Sequence, residues 1–312
     1  MAIAALLASA SSVVAQGVPR TRVAGVAYTI RVTSTPHAGM GASGAMAGAA
    51  QNYVGNAVFA ASRGRMDVVD GAVESLFTKG DYILFDSTDL VIVHPATKTF
   101  VPLPHDVAGQ TMDRLASMGV KMTIADEKVV LDSLGSGDTV AGFATNHYRM
   151  TTAFTLSLDA GVIQQRLATE SITNYWVASV PGLPRNPLLR ANGLAGPSAM
   201  TGMFKSIASK VDSAAKRMGS AVALKTTTVS RLIDGQGTNT MSEQTSNVSG
   251  IEPRDIDDSL LVLPAAYVPR ALTGVEQPHS DDAGAKWRVP PRPRPIRTER
   301  RRSLSSLDRP TR

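Results

Sequence analysis

The chain has 312 residues, of which 43% are hydrophobic and only 5% aromatic, and its formal net charge is +6. It contains no cysteine, which excludes disulfides, thiolate catalysis and cysteine-ligated zinc or iron–sulfur sites. The length suffices for one domain that buries most of its apolar surface, and the low aromatic content argues against a site of stacked aromatic platforms.

The positive charge is concentrated at the C-terminal end of the sequence. Residues 277–312 contain ten basic and four acidic side chains, which accounts for the whole net charge of +6. The rest of the chain is formally neutral, so the basic character belongs to this tail and not to the part expected to fold.

The first fifteen residues have the composition of an export signal. They are apolar from Ile3 onward and end in Val13-Val14-Ala15, which puts small residues at the positions that signal peptidase reads. The usual positively charged start is missing, so a short buried helix remains an alternative. The pattern favours a signal peptide over residues 1–15 and therefore a periplasmic or secreted protein.

Short runs rich in β-branched and aromatic residues begin after this segment. In residues 22–33 the apolar side chains recur at every second position from Val26, which is typical of a half-buried strand. Further strands are predicted at 53–62, 65–69, 82–85, 90–94 and 99–103. Their connections are too short to hold a crossover helix, so the spacing predicts antiparallel hairpins.

A short helix and longer strands are predicted next. Residues 106–118 have apolar side chains at helical spacing between a possible N-cap, Asp106, and Gly119. Strands are then predicted at 121–134, 139–152, 164–180, 221–233 and 238–251. The glycines in Leu134-Gly135-Ser136-Gly137 are interpreted as a hairpin loop between the first two of these strands.

A second helix is predicted over residues 197–218. Its apolar side chains recur at helical spacing and include several methionines, which form a soft and adaptable stripe. Such a stripe suits either an ordinary core or a lid over variable lipid tails. The members are Met200, Met203, Phe204, Ile207, Val211 and Met218.

Residues 274–312 are rich in proline, arginine, serine and aspartate and have no apolar periodicity, which predicts a disordered tail. Its arginines are suited to neutralise anionic lipid head groups, lipopolysaccharide phosphate or nucleic acid; a solvated extension without a partner is the alternative. Trp287 is its one aromatic residue, so stacked recognition of single-stranded nucleic acid is not expected. The candidate surface-binding residues are Arg292, Arg294, Arg300, Arg301 and Arg302.

Several segments, in their order of appearance between residues 24 and 267, resemble exported bacterial proteins of unknown function that are related to the LolA/LolB-like lipoprotein-carrier fold. The segments are Arg65 to Val68, Gly80 to Asp86, Val91 to Pro95, Lys98 to Phe100, Val140 to Phe143, His147 to Arg149, Tyr175 to Ala178 and Leu263 to Tyr267. The resemblance implies a mainly β domain over residues 22–273. It would be a strongly curved antiparallel sheet, or half-open barrel, with a few covering helices near 106–118 and 197–218, and its concave face could admit an acyl chain.

The sequence offers no catalytic constellation. The histidines lack metal-ligand spacing, Ser136 lacks the strand, turn and helix that frame a nucleophile, and the aspartates at strand ends are explained by turn formation. No enzyme activity, metal or cofactor is therefore predicted. The residues considered are His94, His105, His147, Asp67, Asp70, Asp81, Asp86 and Asp89.

Trp176 is the aromatic residue with the strongest claim to a ligand. Strand alternation puts Tyr175 and Val177 on one face and Trp176 on the other. Packing in the core is the ordinary role of such a residue, and in a cupped sheet the core face is also the wall of a cavity.

The first functional hypothesis is therefore a periplasmic, non-enzymatic protein that binds a lipid or a lipidated partner in an apolar concavity. Its candidate ligand residues are Trp176, Met200, Met203, Phe204 and Ile207. The alternative hypothesis is a structural or interaction protein of the cell envelope, with a packed sheet and a basic tail that tethers it to an anionic surface.

Overall fold

The computed structural model of the protein describes residues 21–36, 51–73, 76–86, 89–103, 117, 121–159, 161, 164–183, 186–189, 205–234 and 237–270. The predicted signal peptide and the basic tail lie outside the described residues. So does the helix predicted at 106–118, apart from Ser117.

The described chain is built mainly from strands. In chain order these are β1 (Arg22–Pro36), β2 (Gln51–Ala60), β3 (Arg63–Val73), β4 (Phe77–Thr78), β5 (Tyr82–Phe85), β6 (Leu90–His94), β7 (Thr99–Leu103), β8 (Lys121–Val140), β9 (Phe143–Asp159), β10 (Gln164–Ala178), β11 (Val222–Asp234), β12 (Gly237–Asp257) and β13 (Val268–Pro269). One α-helix, α1 (Lys205–Lys216), lies between β10 and β11, and 3-10 helices occupy Pro187–Leu189 and Asp258–Leu261.

All thirteen strands belong to one sheet that does not close. The order is β13-β7-β6-β5-β3-β2-β1-β12-β11-β10-β9-β8, with β4 paired to β3 outside this path. The pairs are antiparallel except for the short parallel contact between β13 and β7. The prediction of a mainly β protein with an open antiparallel sheet is thus confirmed.

The sheet curves around a single large cluster of buried side chains, the main core. Val101 of β7 and Val140 of β8 both belong to this cluster, although these strands lie near opposite ends of the strand order. A flat sheet would hold them many strand spacings of about 4.8 Å apart. The largest fully buried members are Phe59, Met66, Ile83, Phe85, Ile92, Leu183, Leu189 and Leu224.

Strands β5 to β7 are covered on both faces. Ile83 and Phe85 point into the main core, whereas Tyr82 and Leu84 belong to a second cluster with Leu263 of the last described segment. Since alternate side chains of a strand point to opposite faces, this double burial explains why Tyr82-Ile83-Leu84-Phe85 is continuously hydrophobic.

Helix α1 packs on the long strands of the other half of the sheet. Ile207, Val211 and Ala214 are its buried residues, and they form a cluster with Tyr175 and Val177 of β10. The helix lies within the range predicted from the sequence, residues 197–218.

The hairpin loop predicted at Leu134–Gly137 is wrong. Strand β8 continues through these residues and turns only at Ala141 and Gly142, where φ is 52° and 84°. Register shifts between Ser133 and Gly135 and between Ser136 and Thr139 show that the extra residues are accommodated as bulges. Positive φ at two successive residues is typical of a two-residue hairpin turn of type I′.

Candidate binding site

Trp176 packs against the main core, while its neighbours Tyr175 and Val177 pack beside helix α1. Its indole lies parallel to the His147 imidazole, with 4.5 Å between the ring centroids, and the Lys225 Nζ is 4.3 Å from the indole centroid. His147 comes from β9 and Lys225 from β11, which flank β10 on opposite sides. The indole is therefore held between an aromatic ring and a cation, and stacking on a ligand would require one of them to move.

Of the other predicted ligand residues, Ile207 is buried between helix α1 and the sheet. Met200, Met203 and Phe204 lie outside the described residues. The tail arginines Arg292, Arg294, Arg300, Arg301 and Arg302 also lie outside them. Of the predicted lipid site the structure therefore describes only Trp176 and Ile207, and it places them apart, in two different clusters.

Helix α1 is also fixed to strand β8 by polar contacts. Glu127 Oε2 accepts hydrogen bonds from Lys210 Nζ at 2.7 Å and from Ser206 Oγ at 2.5 Å. These bonds, with that of Lys210 as the larger cause, lower the pKa of Glu127 below its ordinary value. The contacts are exposed, so they orient the helix more than they stabilise it.

A groove of about 640 Å³ lies over strands β1, β2, β3 and β12. Its lining includes Ala27 of β1, Val58 of β2 and Arg65 of β3, and these alternate along their strands with Tyr28, Phe59 and Met66 of the main core. These three residues therefore lie on the face of the sheet opposite the main core, and Tyr28 and Ala57 of the main core also contribute to the lining. We call this groove the outer groove.

The lining of the outer groove mixes apolar and charged residues. Its apolar members are Ala27, Val58, Ile256 and Leu260; Ala27 and Ile256 are buried, whereas Leu260 is an exposed large hydrophobic residue. Its charged residues are Arg22, Arg65, Asp67, Glu252, Arg254, Asp255 and Asp257. Four acids against three arginines leave a single negative charge in excess.

Arg65 is a charged residue of the groove that is held firmly in place. Its Nε and Nη2 donate hydrogen bonds to Asp67 Oδ1 at 2.9 and 2.6 Å, and its guanidinium carbon lies 3.8 Å from the Tyr82 ring centroid. Burial raises the pKa of Tyr82 to about 12, against a smaller lowering by the Arg65 charge. By contrast Arg22, Glu252, Arg254 and Asp255 are exposed.

The aspartates and histidines that could suggest chemistry have structural roles. Asp81 Oδ2 accepts a hydrogen bond from the Thr78 backbone N–H at 2.9 Å and lies 3.0 Å from His94 Nδ1. Asp86 Oδ1 accepts from the Asp89 backbone N–H at 2.8 Å, as expected for an aspartate in a turn. Within the described part of the chain, no group of three histidine, aspartate or glutamate side chains could hold a metal ion.

Sequence reasoning missed the outer groove because strand pairing builds it. Asn56 and Asp67 are register partners, as are Val58 and Arg65, and Ala27 faces Glu252 across β1 and β12. The available signal was the polar side chains at every second position of the early strands. It could not show that a strand some 200 residues later completes the surface.

Comparisons with known proteins leave the chain without an assigned family. No protein-family model matches it, and no match was found among curated proteins. Among the described helices, none combines the length and the apolar character needed to cross a membrane.

Proposed function

We propose that the protein is a non-enzymatic interaction protein of the cell envelope, in which the sheet is a packed scaffold and the basic tail binds an anionic surface. The observation that carries this proposal is the packing of the main core. Its large side chains, among them Phe59, Phe85 and Met66, are almost completely buried. This packing supports a scaffold, because a carrier would need an open concavity that admits an acyl chain.

The charge distribution supports the tethering part of the proposal. Residues 277–312 carry the entire net charge of the chain, so attraction to an anionic surface would act on this segment. A basic residue near such a surface contributes about 1 kcal/mol. The five candidate arginines, from Arg292 to Arg302, are enough to attach a protein reversibly.

Vesicle sedimentation tests this function. The full chain should bind vesicles that contain phosphatidylglycerol but not vesicles of phosphatidylcholine alone. Replacing Arg292, Arg294, Arg300, Arg301 and Arg302 with glutamine should weaken binding by more than about tenfold.

The matched control replaces five basic residues of the described domain with glutamine: Lys79, Lys98, Lys121, Lys216 and Arg217, all of which are exposed. This control should bind nearly as well as the parent. An equal loss of vesicle binding in both variants would mean that only the net charge of the protein matters and not its position. That result would contradict a tethering role of the tail.

Lipid binding is the second candidate function, and the placement of helix α1 favours it. The helix contacts the sheet through Ile207, Val211 and Ala214 and is fixed to β8 through exposed polar contacts of Glu127. Such a helix could be displaced at modest cost to expose Tyr175 and Val177. A bound acyl chain would then replace the contacts of the helix. Burial of each CH₂ group of that chain would stabilise the complex by about 0.8 kcal/mol.

A further inference from the structure

Strand β8 forms one edge of the sheet. It pairs with β9 on one side, and no other described strand pairs with its free side. The opposite edge is formed by β13, which has two residues and contains Pro269. A short strand with a proline offers little to a further strand, whereas a long free edge presents a row of unpaired backbone N–H and C=O groups. Of the two edges of the described sheet, β8 is therefore the one suited to accept another strand.

Only part of this edge is regular. The pairing of β8 with β9 is uninterrupted over residues 128–133, and register shifts flank this stretch, between Ala125 and Lys128 on one side and between Ser133 and Gly135 on the other. Bulges increase the twist of an edge and end its pairing with a further strand. A partner strand can therefore match residues 128–133, which we call the free segment.

The two faces of the free segment differ in character. Leu131 is buried in the cluster beneath helix α1, and Val129 packs against the same cluster. On the other face Lys128 and Asp132 are exposed, with the half-buried Val130 between them. One face of the free segment is therefore apolar, and the other carries a cation and an anion on either side of a valine.

This order of side chains is self-complementary. When two antiparallel copies of the segment pair with Val130 opposite Val130, Lys128 of each copy lies opposite Asp132 of the other, and Val129 lies opposite Leu131. Opposite charges at facing positions stabilise a pair of strands, and like charges destabilise it. No other centre within the free segment brings its two charges together, so the charges select the register in which Val130 lies on the two-fold axis.

We propose that two copies of the chain form a dimer through antiparallel pairing of their free segments. The contact is isologous, so it closes after two copies and leaves no open edge at β8 for further growth. Pairing of the segment adds about four to six backbone hydrogen bonds. Because so short a contact is small, we expect a weak dimer with a Kd of about 10 μM. This inference goes beyond the function proposed above and does not depend on it.

Sedimentation equilibrium of the full chain in lipid-free buffer tests the dimer. At about 100 μM most of the protein should be dimeric, and at about 1 μM most of it should be monomeric. A chain that remains monomeric at the higher concentration would overturn the proposal.

Charge reversal decides where the dimer forms. Lys128→Asp and Asp132→Lys each place like charges opposite one another at two positions of the dimer, and each should raise the Kd at least about tenfold. The double variant restores opposite charges and should recover the Kd of the parent.

The matched controls are Lys79→Asp and Asp70→Lys, which make the same changes in net charge at exposed positions outside β8. Both should leave the Kd unchanged. If the reversals at Lys128 and Asp132 had no more effect than these controls, pairing through β8 would be refuted. A double variant as weak as the single variants would refute the register centred on Val130.

Discussion

The rings of Phe59 and Phe85 stack nearly parallel in the main core, with an angle of 8° between their planes and 6.0 Å between their centroids. They come from β2 and β5, and Gly64 of β3 lies between them as the register partner of both. A Cβ at Gly64 would come within 2.3 Å of the Phe85 ring. The two rings therefore meet above a position where a side chain would collide with them.

Gly64→Ala should destabilise the protein. The backbone there is compatible with alanine, but the added methyl group overpacks the core, which typically costs about 1–3 kcal/mol. Urea denaturation measures the loss, with Ser62→Ala in the adjoining exposed turn as control. Combining Gly64→Ala with Phe85→Leu should recover part of the loss, and an unchanged stability of the single variant would disprove the ring contact.

Asp81→Ala should also destabilise the protein. Asp81 is buried, and its removal leaves the Thr78 N–H and the His94 imidazole without their acceptor. We expect the free energy of unfolding to fall by about 1–3 kcal/mol. Asp81→Asn, which retains one acceptor oxygen, should lose less. The exposed Asp70→Ala should stay within about 0.5 kcal/mol of the parent in the same denaturation experiment, and a similar loss in all three variants would contradict this role.

Ala141→Asn should stabilise the β8–β9 hairpin. Alanine there adopts a φ of 52°, a conformation that costs most residues about 1–2 kcal/mol but that asparagine adopts more readily. We expect the free energy of unfolding to rise by about 0.5–1 kcal/mol. Gly142→Ala, with a φ of 84° at the parent residue, should have the opposite effect. A lower denaturation midpoint for Ala141→Asn would contradict the turn at 141–142.

Buried tyrosines should make the fold sensitive to alkali. Burial raises the pKa of Tyr53 and Tyr82 to about 12 and also raises the pKa values of Tyr28 and Tyr175 above the ordinary 10.0. The folded state thus holds these protons more tightly than the unfolded chain does. The resulting stability is complete below pH 10 and is lost as pH rises from about 10 to 12.

An alkaline titration measures this coupling between tyrosine ionisation and unfolding. Absorbance at the tyrosinate band reports ionisation, and circular dichroism reports the loss of structure. The four buried tyrosines should ionise only above the ordinary pKa, alongside loss of structure. Ionisation of all six tyrosines near pH 10 in a chain with an intact spectrum would contradict their burial.

The early strands were predictable because their side chains alternate and their connections are short. Tyr82–Phe85 and Leu90–His94 were predicted with the bounds that the structure has. The turn of the β8–β9 hairpin was misplaced because Gly135 and Gly137 look like a loop, whereas Ala141 carries no turn signal of its own. Bulges that keep a strand running past its glycines depend on the neighbouring strand and cannot be read locally.

The outer groove and the Trp176 contacts could not be predicted from the sequence, because they too depend on how neighbouring strands pair. The alternation around Trp176 was predictable, but its partners His147 and Lys225 come from β9 and β11, and only the register brings them to the same row.

Native mass spectrometry of the full chain, purified from a cell-envelope extract without detergent, tests the central claim most directly. A scaffold with a filled main core should give the mass of the polypeptide alone, and organic extraction should release no lipid. A reproducible adduct with the mass of a phospholipid or another acyl-chain compound would contradict the packed scaffold and support lipid binding beneath helix α1.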